Sequence, residues 1–118
     1  MQKLVRDRIP ELAAAKGTPI EYAEVKTDVV YFQLLRNKLI EEVSEFLESG
    51  NLDELIDVQA VINAILEYAN VDREQFSKAY AEKAEARGEF KNRILAFLPD
   101  PAQPENKEAS TAGKETTN

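Results

Sequence analysis

Apolar residues recur at three- and four-residue steps through two consecutive stretches, and only Ser49-Gly50-Asn51 separates them. The first carries Phe32, Leu35, Leu39, Val43 and Phe46, which predicts a long amphipathic helix. Thr27 or Asp28 is its expected cap, and Ser49-Gly50 its end. The second stretch starts from Asn51 as cap and is apolar on most sides, with Leu52, Leu55, Ile56, Val58, Val61, Ile62, Ile65 and Leu66. A helix of that kind is expected at the centre of a fold. Two further helices are delimited by punctuation. Asp7 with Pro10 opens a short one that Gly17 and Pro19 close, and Asp72 with Gln75 forms a capping-box pattern for one running to Arg87 and stopped by Gly88. Thr18 to Lys26 reads as a loop or short strand, and FKNRILAFL as a short extended or irregular segment. No internal repeat occurs. The expectation is an all-α, four-helix bundle over residues 1–98, whose second and third helices form an antiparallel hairpin. From Pro99 onward no large apolar residue occurs, so residues 99–118 are expected to be a disordered polar tail.

The hairpin bears on chemistry because its sequence, EEVSEFLESGNLDELID, puts seven carboxylates into residues 41–57. Facing residues of an antiparallel hairpin have numbers with a nearly constant sum, and Glu45 with Glu54 shares its sum with Glu42 and Asp57. Within each helix the two acids are three residues apart, hence about 60° apart around the axis and about 4.5 Å along it. Four acids can therefore converge. They would repel one another in a partly desolvated site unless a cation sat among them. Seven carboxylates also suit the solvated faces of two surface helices, since Glu is a good helix former. Against that stands the placement of Glu42 on the apolar stripe of its helix and of Asp57 among Ile56, Val58 and Val61. Glu48 and Asp53 hug the turn and are read as surface or capping charges.

Composition narrows the chemistry. With no Cys and no His, thiolate nucleophiles, disulfides, imidazole bases and soft-metal sites are excluded. Oxygen-only ligands favour Mg²⁺, with Mn²⁺ as a substitute. A net charge of -7 argues against a nucleic acid polymer as partner. Neither a signal-like N-terminus nor an apolar run long enough for a membrane span is present, so a soluble, cytoplasmic protein is expected.

The EEVSE of residues 41–45 and the ELID of residues 54–57 resemble the EExxE…ExxD signature of the all-α nucleoside triphosphate pyrophosphohydrolases, the MazG-like superfamily. KLVRDRIP, residues 3–10, and KAEARGEFKNRI, residues 83–94, are similar to segments of its small phosphoribosyl-ATP-pyrophosphohydrolase-like branch. The resemblance spans residues 3 to 98. It implies Glu42, Glu45, Glu54 and Asp57 as Mg²⁺ ligands, with Glu41 orienting the attacking water or binding an additional ion. The implied reaction is hydrolysis of the α–β phosphoanhydride of a nucleotide to a nucleoside monophosphate and pyrophosphate.

An anionic substrate also needs cations. Arg6, Lys38, Lys83, Arg87 and Arg93 are the candidates for substrate contact, alongside Arg8 and Lys91. Lys38 is alternatively an i,i+4 partner on its helix, and Arg6 alternatively holds the N-terminal arm to the bundle. Phe90 stacks a base or anchors its segment. Two departures from the branch are evident: Ala60 stands where relatives often have an acid, and Glu89 interrupts a Gly-Gly-Phe pattern. Both bear on substrate identity more than on reaction class. The alternatives are a non-catalytic helical module that binds nucleotide and metal, and a purely structural adaptor. The apolarity of the third helix, together with the resemblance, predicts a homodimer or a dimer of dimers.

Overall fold

The computed structural model describes residues 1–101. Four helices and no strand are found among them: α1 (Ile9–Ala15), α2 (Asp28–Ser49), α3 (Asp53–Tyr68) and α4 (Arg73–Arg87). Residues 99–101 of the expected tail carry no regular structure, and its remainder, 102–118, lies outside the described residues. Contacts group Met1–Lys83 into one compact unit and the described residues from Ala84 onward into a second.

Local chemistry sets the helix ends. Thr27 is extended at the start of α2 without a side-chain cap, and at its other end Gly50 adopts φ +68° while its N–H donates to the Phe46 carbonyl at 2.8 Å. A left-handed residue is what ends a helix this way, and glycine takes that conformation without a Cβ penalty. The N-cap position of α3 is Leu52 and not the expected Asn51, whose Oδ1 accepts from the Asp53 N–H at 2.9 Å from one residue earlier. Asp72 Oδ1 caps α4, accepting from Glu74 N–H at 2.9 Å and Gln75 N–H at 3.4 Å. Asp7 does not cap α1. Its N-cap position is Arg8, and Pro10 in the first turn fixes the start instead.

In place of an intrachain four-helix bundle, extensive helix-on-helix packing within the Met1–Lys83 unit is that of α2 on α3. The three-residue connection forces these helices back on each other, with α2 about 33 Å long. Phe32 stacks on Tyr68 with ring centroids 5.1 Å apart, and Tyr31 meets Tyr68 edge-on at 5.7 Å. This pair fixes the same register that sets Glu42 opposite Asp57. Leu35, Val61 and Leu66 form the buried core of the described residues. The expectation that α3 is central is not met within one chain. A two-helix pair covers one face of each partner only, and Leu52 and Ile56 remain 71% and 64% exposed. Phe90 is 96% exposed, so it does not anchor its segment.

Candidate metal centre in the helical hairpin

Packing of α2 on α3 drives one carboxylate inward. Glu42 occupies the apolar stripe one turn after Leu39, and its side chain is only 8% exposed. Its Oε2 receives Lys38 Nζ at 3.2 Å, and its Oε1 is buried with no hydrogen-bond partner. An unpartnered buried oxygen costs free energy, so something is expected to complement it.

Glu42 is also the point where two groups of acids meet. One carboxylate oxygen from each of Glu42, Glu54 and Asp57 lies within 4.8 Å of the others, and the same holds for Glu41, Glu42 and Glu45. The register reading therefore places Glu42 and Asp57 together. Its second level pair, Glu45 and Glu54, falls into different groups that share Glu42. All five acids nominated from the sequence thus gather around one buried side chain.

Their electrostatics differ. Lys3 Nζ donates to Glu41 Oε2 at 2.9 Å, and Lys38 Nζ reaches the same oxygen at 3.4 Å. The hydrogen bond from Lys3 is the main reason that the Glu41 carboxyl is held below the usual range, and the charge of Lys38 assists against partial desolvation. Reciprocally, the Lys3 ammonium is raised by its bond to Glu41. Glu45 moves the other way. Desolvation pushes its carboxyl up first, and the charges of Glu42, Glu41 and Glu54 add to the effect. Arg6 Nη2 donates to Asp57 Oδ1 at 2.7 Å.

Glu41, Glu42, Glu45 and Asp57 line an open cleft of about 640 Å³, a size typical of small-molecule sites, and Glu54 does not line it. Tyr31, Leu35, Ala60 and Ala64 provide an apolar wall, while Lys3, Arg6 and Lys38 provide positive charge. An all-oxygen donor set around a buried unsatisfied oxygen fits a hard divalent cation, and not a soft one.

Arg6 and Lys38 are thus brought to the acids, both as ion-pair partners. Lys83 is exposed on α4 and does not line the cleft. Arg87 ends α4 and Arg93 has φ +57°; both are exposed and belong to the unit from Ala84 onward. Lys3 was not among the residues nominated from the sequence. It had no local signal, because its partner lies 38 residues away. Compared with family models, with curated proteins and with solved structures, the chain matches none.

Proposed function

We propose that the chain is a Mg²⁺-dependent nucleotide pyrophosphohydrolase of the all-α MazG-like kind, cleaving the α–β phosphoanhydride to a nucleoside monophosphate and pyrophosphate. The observation that carries this reading is the buried Glu42, with its unpartnered Oε1, at the junction of two carboxylate groups on a cleft of nucleotide size. Glu42, Glu45, Glu54 and Asp57 would hold the cation, with Mn²⁺ able to replace Mg²⁺. When bound, the ion supplies charge neutralisation for phosphate oxygens and acidifies a coordinated water.

The chain's own residues do the rest. Glu41, paired with Lys3 and Lys38 in the metal-free chain, orients the attacking water or binds an additional ion. Lys38 and Arg6 lie beside the acids and face the phosphates. Tyr31 and the small Ala60 and Ala64 leave an apolar slot beside them for the nucleoside. The exposed apolar residues of α2 and α3, among them Ile40, Leu47 and Ile56, are covered by a second copy of the chain.

Pyrophosphate release from a panel of nucleotides, followed with and without Mg²⁺, tests the reading. Release that requires Mg²⁺ and falls at least about 100-fold in Glu45→Gln and Asp57→Asn, with helical content retained, supports it. Equal rates in parent and variants would defeat the assigned site. Binding of Mg²⁺ and nucleotide without turnover would favour the non-catalytic module.

A further inference from the structure

The cations on two of the site's acids come from the N-terminal segment, residues 1–8, which has no helix or strand. Among the described residues, none of the backbone hydrogen bonds outside the helices involves residues 1–5; the first is the Ile9 N–H to the Arg6 carbonyl. The segment is therefore seated by side chains. Lys3 takes Glu41 at 2.9 Å and Arg6 takes Asp57 at 2.7 Å, one acid from each of the two groups that meet at Glu42. Between them Leu4 is half-buried and Val5 is 41% exposed, so apolar contact adds little. Both ion pairs are about half exposed to solvent on the basic side, and such pairs are weak.

We infer that residues 1–8 form a strap over the acidic cleft, held by Lys3 and Arg6 in the positions where a divalent cation would draw on the same carboxylates, and displaced when that cation binds. Competition follows from charge. A carboxylate shared with a divalent ion offers less potential to an ammonium or guanidinium, and the ion itself repels both. Once released, the two side chains are free to turn toward an anionic substrate, so that metal loading and exposure of phosphate-binding cations become one event. The inference rests on the acids being a cation site, and its test separates the two.

The chain has no cysteine, so Gln2→Cys provides a unique attachment point for a nitroxide at the head of the strap. Its mobility is recorded in the full chain through a Mg²⁺ titration at constant ionic strength, beside calorimetric Mg²⁺ binding to the parent and to the Lys3→Ala/Arg6→Ala double variant. The strap predicts that mobility rises in step with Mg²⁺ occupancy and that the double variant is mobile without Mg²⁺. It also predicts that the double variant binds the ion about three- to tenfold more tightly, because two weak competitors are gone. Mg²⁺ binding with unchanged mobility, or binding to the double variant no tighter than to the parent, overturns the strap alone. No Mg²⁺ binding in either protein overturns the cation site and the strap with it.

Discussion

Lys38 stands one turn before Glu42 on α2, and its Nζ meets Glu42 Oε2 at 3.2 Å while Glu42 Oε1 stays buried without a partner. One oxygen of the carboxylate is complemented and the other is not. Replacing Glu42 alone with Leu removes an orphan worth about 1–3 kcal/mol but breaks a largely buried ion pair, which costs about 3–5 kcal/mol when one partner stays behind. Lys38 retains Glu41 at 3.4 Å. Replacing both partners, Lys38→Met with Glu42→Leu, is expected to raise the metal-free unfolding free energy by about 1 kcal/mol in urea titration. The same variant should lose the stabilisation by Mg²⁺, which for the parent is about 2.7 kcal/mol at a hundredfold excess over Kd.

The acids should also impose opposite pH dependences on the metal-free protein. Glu41 has a lowered carboxyl pKa, so its contribution is complete above the ordinary carboxylate range and is lost as pH falls through its depressed value. Lys3 has a raised pKa, and its contribution is lost only as pH rises through that raised value. Lys3→Ala should thus destabilise at neutral pH and make no difference in acid. Glu45 has a raised carboxyl pKa, so its ionisation costs stability once pH rises through the raised value. Glu45→Gln should stabilise at neutral pH and be silent in acid. Urea titrations in chelator from the acid to the neutral range check both signs.

Oligomeric state follows from what α2 and α3 leave uncovered. Leu47 and Ile56 are 74% and 64% exposed, and the buried core of the described residues consists of Leu35, Val61 and Leu66. Light scattering at micromolar concentration should report a dimer or a dimer of dimers, and Ile56→Asp should shift it toward monomer. A monomeric parent would remove this part of the account.

Much of the hairpin was legible in the sequence because its signals are local. Gly50 ends α2 and α3 begins at Asp53, and the short connection then fixes which positions face each other. The burial of Glu42 followed from its place on the apolar stripe, and its closeness to Asp57 from the register. What was not legible depends on distance along the chain. Lys3 reaches an acid 38 residues away from a segment with no periodicity to orient it, and for Arg6 the arm-holding role was legible but its partner Asp57, 51 residues away, was not. The apolar surround of α3 was visible too, but the sequence could not say that α1 and α4 would leave it partly bare. Helical faces are read from spacing, whereas their covers are set by tertiary packing. No helix among the described residues is long and apolar enough to cross a membrane.

The most direct measurement is the identity of the products after incubation of the full chain with nucleoside triphosphates and Mg²⁺, resolved by phosphorus NMR. Nucleoside monophosphate and pyrophosphate in equal amounts, formed with Mg²⁺ and not in chelator, and absent with Asp57→Asn, are predicted for at least one nucleotide. Nucleoside diphosphate with inorganic phosphate, or unchanged substrate across triphosphates and other diphosphate-linked nucleotides, would contradict the assignment.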